Sequence, residues 1–145
     1  MRIALAISLL FLAYNLFGTT FDARTNRLDA KSAKLRLESI SSEVNLPYTY
    51  ETNRLLQIYT HSYRPGARRI IERSGLYFPA FEQKLERLDL PPVLKNLGIV
   101  ESNLEPWSVS KQGAVGVWQL MPNTARKHGL IMDHYVDERF DPILS

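Results

Sequence analysis

Cysteine is absent from the chain, which excludes a disulfide framework, a thiolate metal site and a lipoprotein-type acylated cysteine. Histidine is scarce, and His61, His128 and His134 show no metal-ligand spacing. With no His-Glu-x-x-His or paired Asp motif either, neither a metal nor another cofactor is expected. No alternating strand pattern of useful length, internal repeat or low-complexity tract is present, which leaves a mainly α fold. No apolar run reaches the roughly 20 residues of a membrane span. What charge there is leans positive, +3 at pH 7 with an isoelectric point near 9.3. That balance favours anionic surroundings such as an envelope polymer, a lipid surface or nucleic acid, without choosing among them.

The 145 residues, 45% of them hydrophobic and 10% aromatic, suffice for one modest core and accessory segments. Arg2 precedes an uncharged apolar run from Ile3 to Phe17, the charged start and apolar middle of a secretory signal. Residues 1–20 are therefore expected to be a signal peptide, or a signal anchor giving membrane association. Export also sits badly with nucleic acid, for which no motif is present. Residues 21–46 are polar, with a sparse apolar set at Leu28, Leu35, Leu37, Ile40 and Val44, and read as a linker or a marginal surface helix.

From residue 47 the pattern becomes helical. Thr52 is a candidate N-cap for a helix to about Tyr63, interrupted by Pro65-Gly66. A second helix is expected over 67–73, stopped by Ser74-Gly75. A third follows over 77–88, with Phe78, Phe81, Leu85 and Leu88 on one face. Pro91-Pro92 opens a fourth, with Val93, Leu94, Leu97 and Val100 inward. Residues 106–118 read as loop, and a short helix from Pro122 or Asn123 to His128 is closed by Gly129.

Glu101 is the only acid in the helix from Val93, beside Ile99 and Val100. An acid at the end of a buried helix is partly desolvated, which raises its pKa and suits it to donate a proton to a leaving oxygen. By position alone, an ordinary solvated glutamate in a last turn explains it better. The residues downstream alter that balance. Ser110 and Gln119 supply groups that hydrogen-bond sugar hydroxyls or acetamides. Gly113, Ala114 and Gly116 let the backbone turn sharply beside a ligand, and Met121 suits an irregular apolar groove. Trp118 is read as core. Arg64, Arg68, Arg69 and Arg73 could bind a phosphate-rich polymer, although a solvated helix face accounts for them better.

The run Glu101-Ser102, Ser110-x-x-Gly113-Ala114-x-Gly116-x-x-Gln119-x-Met121-Pro122-x-Thr124-Ala125 resembles the signature of soluble lytic transglycosylases. The flanks, from Pro65 to Val100 and on through Gly129-Leu130, Asp137-Glu138-Arg139 and Asp141-Pro142, are similar to the membrane-bound lytic murein transglycosylases of the D type. The resemblance spans about residues 47–145 and implies the catalytic SLT-type domain, with a goose-lysozyme-like helical fold. It implies cleavage of the β-1,4 bond between N-acetylmuramic acid and N-acetylglucosamine in peptidoglycan glycan strands, leaving a 1,6-anhydromuramic end. Glu101 would serve as the single acid/base. Ser110 and Gln119 would touch the sugar, Met121 would line the groove, and Gly113, Ala114 and Gly116 would shape it. Most glycosidases use two carboxylates, and this motif supplies one, which fits a reaction completed by the substrate's own hydroxyl.

In the family the chain continues to an Ala-Tyr-Asn-Ala-Gly segment, which is not found before Ser145. The expectation is thus the N-terminal part of a catalytic domain, incomplete at the C-terminus, in the periplasm or cell envelope. The alternative is a truncated, non-catalytic envelope protein that binds peptidoglycan without cutting it.

Overall fold

The computed structural model describes residues 30–40 and 47–145. The expected signal segment, 1–20, lies outside the described residues. Two compact units, Met1–Ile71 and Glu72–Ser145, make up the chain. The described residues are mainly helical, as expected, and their only extended pairings are the isolated bridges Val109 to Val115, Val115 to Leu120 and Met132 to Asp137.

In the first unit, helix α1 runs Ala30–Ile40, inside the stretch read as a linker or a marginal surface helix. Its buried residues are Ala33 and Leu37, one helical turn apart, so the few apolar positions fall where a single face can use them. Helix α2 covers Tyr50–Gln57. Its N-cap is Thr49 and not Thr52: Thr49 has extended dihedrals, φ −110° and ψ 173°, and its Oγ1 accepts from Thr52 N–H at 3.2 Å. Thr52 sits a turn inside, buried, with its hydroxyl donating to Pro47 O at 3.0 Å. The helix then continues as a π segment, Ile58–Ser62, in which Thr60 Oγ1 donates back to Leu56 O at 2.6 Å. Such back-bonding loosens and bends a helix.

Helix α3 is one element, Arg64–Arg87, where the sequence predicts two. The break expected at Ser74-Gly75 is absent, and none of the helix-disfavouring residues Pro65, Gly66, Gly75 and Pro79 interrupts it. Pro65 lies in the first turn, where its missing N–H has no helical acceptor to serve. Gly66 carries the ring of Tyr63: a Cβ there would come within 2.1 Å of it. Gly75 and Pro79 lie on exposed backbone, so the Gly75 carbonyl that Pro79 leaves without a helical donor can take water instead.

In the second unit, Phe78 and Phe81 of α3 pack inward as expected, whereas Leu88 is exposed. The next element begins as a 3₁₀ helix, Pro92–Asn96, and becomes helix α4, Leu97–Ser102. The change of pitch overturns the predicted face. A 3₁₀ helix turns about 120° per residue against 100° in an α-helix, so a face counted from Val93 drifts by about 80° over the four steps to Leu97. Leu97 and Val100, expected inward, are each 38% exposed, and Gly98 and Ile99 are buried in their place. Helix α5, Pro122–Lys127, closes with Gly129 at φ +83°. Leu130 N–H bonds to Ala125 O at 3.0 Å and Gly129 N–H to Arg126 O at 3.1 Å, the pair of bonds that defines a Schellman end.

Because an added Cβ at Gly75 meets nothing within 4 Å, Gly75→Ala is expected to stabilise the chain by about 0.5–1 kcal/mol. Chemical denaturation followed by circular dichroism measures this; a loss of stability would mean that Gly75 is a real break in α3.

Candidate functional site

Glu101 stands in the last turn of α4, and that turn is tied down on three sides. Ser102 Oγ donates to Val117 O at 2.9 Å, lies 3.2 Å from Gly98 O, and accepts from Glu105 N–H at 3.1 Å. Arg73 of α3 donates to Asn103 O at 3.3 Å and pairs with the carboxylate of Glu105. Of the arginines read as a solvated face, this one is fastened to the segment after Glu101. Below, Gly98 lets α4 press against the core: a Cβ there would sit 2.8 Å from Val117 Cγ1 and 2.9 Å from Leu104 Cδ2.

The helix stops abruptly. Asn103 and Leu104 both adopt left-handed dihedrals, φ 56° and 57°, at a cost of about 1–2 kcal/mol for each L residue. Leu104 is fully buried, and burying a leucine side chain returns about 1.5–3 kcal/mol, enough to offset its own strain.

Beyond it the motif residues form a double turn. Ser110 N–H donates to Ala114 O at 2.8 Å, Ala114 N–H to Ser110 Oγ at 2.9 Å, and Gly113 N–H to Ser110 O at 3.0 Å. Val115 and Leu120 then exchange backbone bonds at 3.1 and 2.9 Å. Gly116 N–H reaches back to Ser108 O at 2.9 Å, and Gln119 Nε2 donates to Gly116 O at 2.9 Å and Ser108 O at 3.3 Å. Ser110, Gly113 and Ala114 are thus brought together in one turn and Gly116 and Gln119 in the next, joined to the Glu101 turn through Ser102 and Val117. Met121, 42% exposed, follows as the N-cap of α5. Trp118 packs as expected, its ring 4.7 Å from that of Phe81 and its Nε1 donating to Pro142 O at 3.3 Å.

Two points differ from expectation. Glu101 is exposed, so the desolvation inferred from its apolar neighbours is not there; the phase drift through the 3₁₀ turn carries it outward. Ser110 and Gln119 spend part of their polar capacity on the loop itself, leaving the Ser110 hydroxyl proton and the Gln119 carbonyl oxygen for an outside partner.

The residue that sequence reasoning missed is Arg139. It is 9% exposed and bound bidentately by Asp137, with Nη2 to Oδ2 at 2.7 Å and Nε to Oδ1 at 2.9 Å. Its Nη1 donates to Gly113 O at 3.0 Å and Leu120 O at 3.2 Å. Its own carbonyl lies where a Cβ on Gly116 would be, 1.8 Å away, and Gly116 has φ +83°. Only glycine fits there. The one signal for this in the sequence is an arginine two residues after an aspartate in an otherwise irregular stretch.

Residues 78–145 match the sequence profile described as Transglycosylase SLT domain. This segment belongs to that family. It lies wholly within the second unit and contains every motif residue named above. The chain is 36% identical over 62 residues to membrane-bound lytic murein transglycosylase D of Escherichia coli strain K12, and equally so to the protein of that name in E. coli O6:H1 strain CFT073. The aligned region is 43% of this chain and 14% of each relative, so the chain spans a small part of the length of these relatives. No solved structure matches. Within the SLT domain, then, the Arg139 pair holds both turns of the motif loop in place.

Arg139→Ala is expected to destabilise the second unit by about 3 kcal/mol, toward the low end for breaking a buried pair because Asp137 keeps contact with water; urea denaturation reads this, and a change below 1 kcal/mol would remove the clamp from the account. The pair also predicts an acid limb. The Arg139 guanidinium beside Asp137 holds its carboxyl below the usual range. A depressed folded-state pKa gives stability that is fully present above the unfolded value of about 3.9 and is lost as pH falls through the folded value. Asp133, lowered by the Tyr135 and Val136 N–H groups, titrates in the same direction. Thermal melts from pH 7 to pH 2 should therefore fall only below about pH 4, and less steeply in Asp137→Asn.

Proposed function

We propose that this chain carries a peptidoglycan lytic transglycosylase activity, exported to the periplasm or cell envelope, with Glu101 as its sole acid/base. The observation that carries the reading is the SLT profile over 78–145, inside which the Glu101 turn and the Ser110–Met121 loop are fastened together through Ser102 Oγ and Val117 O. The printed name of the E. coli relatives supports murein as substrate. Among the described residues no helix is long and apolar enough to cross a membrane; export and any membrane association are assigned to the segment at residues 1–20.

The reaction needs one carboxyl group twice. As an acid, Glu101 gives its proton to the glycosidic oxygen, the bond from that oxygen to muramyl C1 breaks, and the N-acetylglucosamine side leaves with a free hydroxyl. As a base, the resulting carboxylate takes the proton of the muramyl C6 hydroxyl while O6 bonds to C1. The 1,6-anhydro ring closes, Glu101 regains its proton, and no water is consumed. The exposure of Glu101 leaves it open to a substrate oxygen, and the hydrogen bond from Ser102 Oγ to Val117 O holds its backbone still, which is the positioning that proton transfer requires. The Ser110 hydroxyl and the Gln119 carbonyl oxygen are the groups left to bind sugar hydroxyls or acetamides, with Met121 beside them on the groove wall.

Glu101→Gln should lower the release of anhydromuropeptides from purified murein by at least about 10²-fold, read by chromatography and mass spectrometry. Full retention would remove Glu101 from the mechanism, and muramic ends that are reducing would replace transglycosylation by hydrolysis. A second reading, a peptidoglycan-binding protein without turnover, is favoured by one observation: no described residue bonds to the Glu101 carboxylate. Cosedimentation with murein in the absence of products would select it.

A further inference from the structure

A cleft of about 820 Å³ in the second unit contains neither Glu101 nor any residue of the Ser110–Met121 loop. Trp107 stands on its wall, 72% exposed, with the ring of Phe140 5.4 Å away and tilted by 35°. Tyr135 lines the same cleft and is 91% exposed. An indole left this open forgoes much of the burial that ordinarily fixes a tryptophan in place, and such surfaces mark binding sites.

Four carboxylates line the cleft; Asp137 is taken up by Arg139, and the other three face it with an oxygen to spare. Asp133 Oδ1 accepts from Tyr135 and Val136 N–H at 2.7 and 2.8 Å, Glu138 Oε2 from Ile131 N–H at 2.7 Å, and Asp141 Oδ1 from Ile143 and Leu144 N–H at 2.7 and 3.0 Å. In each case one oxygen is pinned by the backbone and the other is left as an acceptor in a fixed place. Flat apolar faces bordered by fixed acceptors fit a ligand with an apolar face and donors around its edge. A pyranose ring, with its C–H face and its radial hydroxyls, has that form.

Charge narrows the class further. The carboxylates disfavour an anionic segment in the cleft, while the net charge of +3 on the whole chain disfavours approach of a cationic polymer. A neutral oligosaccharide meets neither penalty. We propose that the Trp107 cleft is a second carbohydrate-binding site, separate from the Glu101 loop, that takes neutral β-1,4-linked N-acetylglucosamine-type rings. The choice of this sugar rests on the peptidoglycan reading above; the site itself rests on the cleft. Its volume lies in the range of small-molecule sites, and it is open to solvent, as a site for a polymer segment must be.

Titration of the 145-residue chain with chitotetraose, followed by calorimetry and by the indole N–H signals in NMR spectra, tests this. Saturable binding that moves the Trp107 signal is expected, weakened about tenfold or more in Trp107→Ala and reduced in Tyr135→Ala. Circular dichroism of each variant checks folding; should Trp107→Ala unfold, the wild-type Trp107 signal and Tyr135→Ala decide. The proposal is overturned by absence of saturable binding, by binding that neither variant weakens, or by displacement of the sugar by tetralysine, which would make the cleft a cation site. Murein turnover by the same wild-type sample is scored separately. Trp107-dependent binding without turnover sinks the transglycosylase reading alone, and turnover without such binding sinks only the cleft.

Discussion

The arrangement of the SLT domain depends on the pairing of Arg139 with Asp137. A guanidinium nine-tenths buried needs its charge balanced and its donors used, and here the aspartate does the first while the carbonyls of Gly113 and Leu120 help with the second. Those two carbonyls come from the two turns of the motif loop. A loop of this kind has little core of its own, and its shape would otherwise rest on a few backbone bonds. The arginine converts a side-chain charge requirement into a backbone constraint, and the close seat of Gly116 on the Arg139 carbonyl makes the constraint mutual.

A second constraint joins that loop to the carboxyl group. The Ser102 hydroxyl has one proton and two lone pairs, and it serves a loop carbonyl and the N–H of Glu105 at once. The residue beside Glu101 is therefore structural, and Glu101 is left to face outward. This division of labour between neighbours explains how an exposed acid can still be held in position: the precision comes from the backbone to which it is attached.

Legibility in the sequence followed the length scale of the physics. The helical character, the position of α5 with its Gly129 end, and the inward Phe78 and Phe81 were all readable, because each rests on local periodicity or on one residue's dihedral preference. The break expected at Ser74-Gly75 was not real, since glycine costs an exposed helix only about 1 kcal/mol and neighbouring turns carry the element through. The inward face of α4 was misplaced because pitch, unlike composition, leaves no mark in the letters. The motif residues were legible as a group through their spacing, yet the partners that hold them were not. Arg139 lies 26 residues from Gly113, and Arg73 lies 32 from Glu105; contacts at that separation are set by the assembled chain.

The paired left-handed residues at 103 and 104 have a consequence for where this domain tolerates change. A turn that needs two consecutive positive φ angles, a fully buried leucine and bonds from Arg73 and Ser102 has no slack, so the spacing between the acid and the loop is rigid in register as well as in shape. Lys111 and Gln112, by contrast, are exposed at the tip of the tight turn closed by Ser110 and Ala114. Extra residues grafted there would extend into solvent with the closing bonds intact, which makes the tip a natural attachment point for a probe or an added binding segment, and makes the five residues after Ser102 a poor one.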